Sequence, residues 1–349
     1  MSLGTELLCI GNPLVDVFVE IDLSLAVKYG ITEPVQHIDR ETAEKILRQP
    51  SIDFANAVKS SGGGAANVAK IAAMLGMDAV FSGCVGQDEL AEIFEKEITD
   101  AGVSVILGRS NEKTGLCFAC NVNGEMRFAA SPGAALELTE ANVSEELIGS
   151  AEAVVVDGYI LDRRPLVKHI LRLASRKGIP VALDVASIMQ VKGKAEEILT
   201  YSRNYPLFVF MNADETITFF NTIRKSPNDE INLPEKEKEA VILRDICPML
   251  KIITDGELFP IIVVKLGGRG AIVIAGGNVY REETFTIVPR NTVGAGDAFC
   301  AAFIAAWIRD KSLSECAALG NKVAREILEV PGTHIKSGKL KSFAKVLQK

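Results

Sequence analysis

Apolar and polar positions along the chain alternate between two rhythms. Short apolar runs bounded by turn residues read as strands: 6–11 (ELLCIG), 78–85 (DAVFSGCV), 153–158 (AVVVDG), 180–185 (PVALDV) and 207–211 (LFVFM). Between them lie segments that read as helices: 65–76, ending at Gly76; 88–102, with an acidic start and a glycine stop; then 164–178, 194–202 and 213–225. Each crossover is long enough to join a parallel pair. The alternation predicts an α/β fold, a doubly wound and mostly parallel sheet flanked by helices with right-handed crossovers.

Two regions break this rhythm. Residues 115–130 read as two strands around Asn123-Gly124, a hairpin signal, and the strand at 15–21 (VDVFVEI) has no helix directly after it. Together they predict a small sheet beside the main one, assembled from two segments, about 12–38 and 106–132. The polar stretch 225–240, with two prolines, reads as an exposed insertion within one domain spanning 1–349. No internal repeat or low-complexity tract interrupts the chain.

Composition narrows the function. Of 349 residues, 48% are hydrophobic and 24% charged, enough to build a sizeable core. A net charge of −7 without a Lys/Arg block argues against a nucleic-acid partner. The apolar run near the C-terminus covers only 298–308, whereas a membrane span needs about 20 residues. The N-terminal stretch lacks a basic region and breaks at Gly11-Asn12-Pro13, against a signal peptide. Seven scattered cysteines, an odd number, point to a reducing cytoplasmic setting. Cys117 and Cys120 have CxxC spacing, but residues three apart on a strand face opposite sides, so a structural role is expected.

The chemistry concentrates in four stretches. No G-x-x-x-x-G-K-[ST] occurs, which excludes a Walker loop, and GAGDAF fails the last glycine of G-x-G-x-x-G. NTVGAGDAFCAAF (291–303) lies between an expected strand at 284–289 and an expected helix at 298–310. Gly294, Ala295 and Gly296 thus form a strand-to-helix turn whose free N–H groups make an anion site. Asp297 in the first helical turn is placed to accept a proton from an attacking hydroxyl, or simply to cap the helix. The helix terminus is expected to keep this acid ionised at neutral pH.

SSGGGAANVAK (60–70) is a second glycine cluster, with Gly63 suited to a close ligand approach and Asn67 one turn in; a tight packing turn fits equally. Asn212 and Glu215 in NADE either form a capping box or hold a hydrated Mg²⁺ at the end of a parallel strand. Asp16, between apolar residues, is either a solvent-facing strand position or a hydrogen-bond acceptor for sugar hydroxyls.

In their order along the chain these stretches resemble the ribokinase/PfkB family of carbohydrate and nucleoside kinases. GGGAANVAKIAAMLG is similar to its first signature, NTVGAGDAFCAAF to its second, NADE to its N-x-x-E motif, VKLGGRGA (264–271) to its nucleotide strand, and 320–333 to its adenine-side helix. The resemblance implies a ribokinase-like fold whose small sheet is a lid. It implies Asp297 as base, an anion hole at Gly294, Ala295 and Gly296, and Asn212 with Glu215 organising phosphate and Mg²⁺. Gly267 and Asn321 fall on the ATP side, and Asp16, Gly63 and Asn67 on the sugar. Arg127, in the hairpin, either reaches the phosphates on closure or remains solvated. Where the family usually has Asp, this chain has Asn291, which puts a monovalent cation in doubt.

The implied activity is ATP-dependent transfer of the γ-phosphoryl to a primary hydroxyl. GNPLVDVF (11–18) and DGYILD (157–162) are similar to the adenosine-kinase-like branch, in which Tyr159 flanks the base; SPGAALELT (131–139) resembles sugar kinases. A ribose or nucleoside acceptor is therefore expected first and a fructose-type sugar next. The rivals are a catalytically silent binding module of the same fold and, third, a nucleotide-dependent oxidoreductase. Monomer and homodimer both remain open.

Overall fold

In chain order the strands are β1 (Thr5–Ile10), β2 (Leu14–Ile21), β3 (Val35–His37), β4 (Lys59–Gly62), β5 (Ala79–Val85), β6 (Ser104–Arg109), β7 (Gly115–Val122) and β8 (Glu125–Ser131). They continue as β9 (Ala151–Asp157), β10 (Val181–Asp184), β11 (Leu207–Asn212), β12 (Ile261–Lys265), β13 (Ala271–Ala275) and β14 (Asn278–Glu282). The structure, a computed structural model, describes residues 4–226, 232–255, 260–287 and 293–329, with 340, 342–344 and 347.

Nine of these strands form one sheet in the order β14-β13-β12-β11-β10-β9-β1-β5-β6. From β12 to β6 every neighbouring pair is parallel; β13 and β14 add an antiparallel edge. The chain leaves β1 towards β5 and β6, then returns to the other side of β1 at β9. The strand order thus reverses between β1 and β9, the place where such sheets open a crevice.

Strand residues feed two cores by alternation. Leu7 and Cys9 point to a core shared with the helices Gly64–Met74 and Ala295–Ile308, and Leu8 and Ile10 to the core under Arg164–Lys177 and Ile188–Asn204. Helix Ala295–Ile308 is apolar on all sides, and every residue from Ala298 to Ala306 is buried. Phe299 and Phe303 pack on Phe210 with ring centroids 6.4 and 5.4 Å away. A Cβ on Gly320 would come within 2.8 Å of the Phe299 ring, so the next helix, Leu313–Leu328, lies tight against it. This packing anchors the first turn of the Asp297 helix.

The small sheet has the order β3-β8-β7-β2-β4. The expected hairpin is present, with Asn123 at φ +51° and Gly124 at +91°, the left-handed pair a tight two-residue turn requires. Its composition differs from the expected two segments. β6 (104–109) pairs with β5 in the large sheet, and β4 joins from a third segment by pairing antiparallel to β2. The strand expected at 284–289 is absent over its described part, residues 284–287.

The 225–240 insertion is less exposed than its composition suggests. Residues 227–231 lie outside the described residues, but helix Glu235–Val241 buries Lys238 and Glu239. Lys238 pairs with Asp214 at 2.6 Å, and Glu239 bridges Arg281 at 2.6 Å and Arg269. Two charges directed inward dock this segment onto the main body.

Candidate active site

The crevice at the strand reversal is built where the backbone yields to acidic side chains. After β1, a Cβ on Gly11 would lie 2.2 Å from an Asp157 carboxylate oxygen; at the end of β4, one on Gly62 would lie 2.3 Å from Asp16 Oδ2. Gly63 adopts φ +99°, and a Cβ there would meet the Asn12 carbonyl at 2.1 Å, so glycine is required twice over. These contacts let the helix Gly64–Met74 start directly above β1. One turn along it, Asn67 Nδ2 donates to Asp297 Oδ2 at 2.9 Å.

Asp297 stands in the first turn of its helix, behind Gly294 at φ +77°. Burial pushes its carboxyl up to about 7, with Asp184 and Asp157 adding to the rise and Asn67 and Lys265 opposing it. The expectation that the helix terminus alone keeps this acid ionised is thereby corrected: desolvation and neighbouring carboxylates outweigh the dipole. A group titrating near neutrality is still well matched to accept a proton.

The C-terminal strand ends supply the remaining charges. Lys265, ending β12, pairs with Asp184, ending β10, at 2.5 Å. Burial works against the Lys265 ammonium, yet Asp184 and Glu215 hold its pKa above that of an ordinary lysine. Asn212 and Glu215 form a reciprocal capping box, with Asn212 N–H donating to Glu215 Oε2 at 2.7 Å and Glu215 N–H to Asn212 Oδ1 at 2.8 Å. Burial raises the Glu215 carboxyl to about 7, opposed by Lys265 and assisted by Asp184. At the end of β9, Asp157 accepts from the N–H groups of Asn12 at 3.3 Å and Tyr159 at 3.1 Å.

The small sheet closes the opposite wall. Asp16 on β2 is buried, which pushes its carboxyl up to about 6; Lys70 and a hydrogen bond from the Cys117 thiol pull it down, and Glu97 raises it. Cys117 is the parallel register partner of Asp16 on β7. The opposite-face expectation for CxxC fits this arrangement: Cys120 joins the core, while Cys117 faces the crevice.

Two cavities result. One, of about 400 Å³, is bounded by Asp16, Gly63, Asp157, Tyr159, Asn212, Glu215, Gly294 and Asp297, with His37 and Phe128 on its apolar side. The other, of about 360 Å³, lies between Gly267, Ala295, Phe285, Asn321 and Ala324. Lys265 and Gly296 line both, so the cavities meet beside Asp297. Asn67 reaches this junction through its bond to Asp297.

Arg127 stays apart from both cavities. Alternation along β8 turns Phe128 and Ala130 inward, while the Arg127 guanidinium donates to the Ile31 carbonyl at 3.0 Å and pairs with Glu125 at 3.4 Å. Asn291 lies outside the described residues. Sequence reasoning did not single out Asp157, Asp184 and Lys265. Each carries a legible sign, a lone charge terminating an apolar run (AVVVD, VALD, IIVVK). Asn12, His37 and Cys117 carry no such sign, because only the fold brings them to the crevice.

Among the described residues no group of three or more His, Cys, Asp and Glu forms a metal cage. Mg²⁺ keeps most of its waters and binds through one or two carboxylates plus phosphate oxygens. Glu215, a buried acid with only one oxygen committed to its cap, fits that mode. Among the described residues no helix is long and apolar enough to cross a membrane.

Comparison with known proteins bears on the family and the fold. The family of pfkB family carbohydrate kinases matches residues 24–339. An adenosine kinase from Schizophyllum commune is 24% identical, over 95% of this chain and 97% of its own length. A 5-dehydro-2-deoxygluconokinase from Bacillus subtilis (strain 168) is also 24% identical, over 76% of this chain and 80% of that protein. In fold, the chain is similar to the crystal structure of an adenosine kinase from Sinorhizobium meliloti, with TM-score 0.80 and 23% identity over 98% and 99% of the two chains.

Proposed function

The chain belongs to the pfkB family of carbohydrate kinases, and from that footing we propose that it moves the γ-phosphoryl of ATP to the primary hydroxyl of a nucleoside. Fructose-type sugars are the next acceptor class. The observation that carries this reading is the position of Asp297. It is a carboxyl titrating near 7, at the start of a helix, where two cavities of suitable size meet.

The proposed mechanism follows from that placement. The acceptor lies in the larger cavity, where the Asp16 carboxylate accepts hydrogen bonds from its ring hydroxyls. Its primary hydroxyl faces Asp297, which takes the proton as the oxygen attacks phosphorus; such a base contributes roughly 10²–10⁴ in rate. The nucleotide enters the second cavity between the Gly267 turn and Asn321. The N–H groups at Gly294–Gly296 receive the transferring phosphoryl at the helix terminus. Mg²⁺, when bound, neutralises phosphate charge and orients the chain of phosphates. The Asn212 backbone N–H, donating to Glu215 Oε2, holds the Glu215 side chain in place.

Two features favour a nucleoside over a bare sugar. His37 and Tyr159 form an edge-on ring pair 5.5 Å apart and, with Phe128, make an aromatic wall suited to a base. Adenosine kinases also match nearly the whole chain. The small sheet, as a lid, carries Asp16 and excludes water that would compete with the acceptor hydroxyl.

ADP release from Mg·ATP, measured with adenosine, inosine, ribose, fructose and fructose 6-phosphate, tests the reading, with Asp297→Asn as blank. Turnover is expected with a nucleoside. Turnover with fructose alone would move the acceptor class. Retained ATP binding without turnover on any acceptor would mean a silent binding module.

A further inference from the structure

The larger cavity presents an electrostatic puzzle for a phosphotransferase. Five carboxyl groups line it: Asp16, Asp157, Asp184, Glu215 and Asp297. A phosphoryl in transit brings further negative charge, spread over its equatorial oxygens. Among the described residues, Lys265 is the one lysine or arginine that lines this cavity; Lys70 and Arg163 act on Asp16 and Asp157 from outside its lining.

Lys265 is also placed on the route. It lines both cavities, and its ammonium lies against the first turn of the Asp297 helix, since a Cβ on Gly296 would sit 3.3 Å from Nζ. The side chain is 14% exposed and Asp184 13% exposed, so neither charge is solvated enough to stand alone. The 2.5 Å pair keeps the ammonium at the junction when no phosphate is there.

We infer that Lys265 is a catalytic cation, held in place by Asp184, that binds the equatorial oxygens of the phosphoryl group as it crosses from the nucleotide cavity to the acceptor. This rests on the kinase reading above and deepens it. In the step, the bond from phosphorus to the β–γ bridging oxygen breaks and its electrons remain on ADP. The acceptor oxygen forms the new bond to phosphorus, and its proton goes to Asp297. Lys265 stays protonated throughout and contributes charge alone. Asp184 is a positioning residue that acts through Lys265.

The test compares Lys265→Met with the charge-balanced pair Lys265→Met/Asp184→Asn, which leaves no unpartnered carboxylate. For each, kcat and both KM values are measured, together with calorimetric binding of ADP alone and of ADP with aluminium fluoride, a mimic of the planar phosphoryl, in the presence of the acceptor. Loss of one preorganised charge contact should lower kcat by roughly 10²–10³-fold, with the acceptor KM little changed. Aluminium fluoride should lose its tightening of ADP binding, while ADP alone binds as before. A kcat within about threefold of wild type in either variant would overturn the inference, as would equal weakening of both ligands. Wild-type protein inactive on every acceptor would instead overturn the kinase reading, and this inference with it.

Discussion

The two cavities that meet at Lys265 are built by opposite means. The acceptor side gathers buried acids from the ends of β9 and β10, from two helix starts and from the small sheet. The proposed nucleotide side is mostly glycine backbone and apolar side chains, with Lys265, Thr284, Thr286, Asn321 and Arg325 as its polar side chains. A site that must recognise hydroxyls and manage a proton needs titratable groups whose pKa values burial can move. One that must cradle phosphates and a flat base needs close backbone approach and smooth walls. The first is easily damaged by changing a single side chain; the second depends on supports that lie outside it.

The acceptor side should therefore give the largest single effects. Asp297→Ala is expected to lower kcat by roughly 10²–10⁴-fold while the protein still melts cooperatively and keeps its affinity for ATP. Steady-state rates and a thermal melt check both halves, and near-normal turnover would remove Asp297 from the mechanism. Asp16→Asn comes next. It exchanges a charged acceptor for a neutral amide at the ring hydroxyls, worth about 1.5–3 kcal/mol, so the acceptor KM should rise roughly 10–100-fold while the ATP KM stays put. An equal rise in both KM values would mean that Asp16 supports the fold and not the sugar.

The same contrast explains how much of the molecule is legible in its sequence. Apolar runs and helix stops determine β1, β5, β9 and β11 to within a residue or two, because a parallel strand buried on both faces must be apolar. Asp297, Gly63 and Glu215 are legible because each sits at a turn that demands glycine or a cap, and Asn67 because it follows one by a single helical turn. Cys117 is not, since its role depends on β7 lying parallel to β2 with Asp16 in register. Arg127 lines neither cavity for the related reason that one residue of strand register decides whether a side chain enters the crevice. The pKa of Asp297 is illegible too, because a helix start favours the anion and only the packed site supplies the opposing desolvation.

On the nucleotide side the informative changes lie at a distance. Glu239, carried by the 225–240 insertion, joins Arg269 of the Gly267 turn to Arg281 of β14, and Arg281 also donates to the Arg269 carbonyl at 2.6 Å. Glu239→Gln keeps the volume and removes the charge. It is expected to raise the ATP KM about 3–10-fold with kcat and the acceptor KM unaltered, consistent with about 1 kcal/mol for hydrogen bonds loosened at a turn. Initial rates at varied ATP would show this, and an unchanged ATP KM would reduce the insertion to a packing element.

The smallest effect is the most specific to the buried acid. For a carboxyl whose folded pKa is raised, the folded state binds a proton more readily than the unfolded chain does. Stability from that proton is present below the unfolded pKa, near 4, and is lost as pH rises towards 7. Above 7 the folded protein retains a desolvated charge, a stability loss of the kind expected where the proposed base must be ionised to act. Asp297→Asn removes that penalty and keeps a polar side chain beside Asn67. The variant should melt a few degrees above wild type at pH 8, with the gap closing towards pH 5, about the shift that one or two kcal/mol produces in a protein of this size. The same titration predicts that wild-type kcat/KM rises with pH to a plateau, with a midpoint near 7. A flat activity profile together with a pH-independent gap in melting temperature would place the proton on another group, and Glu215, also near 7, would be the residue to change next.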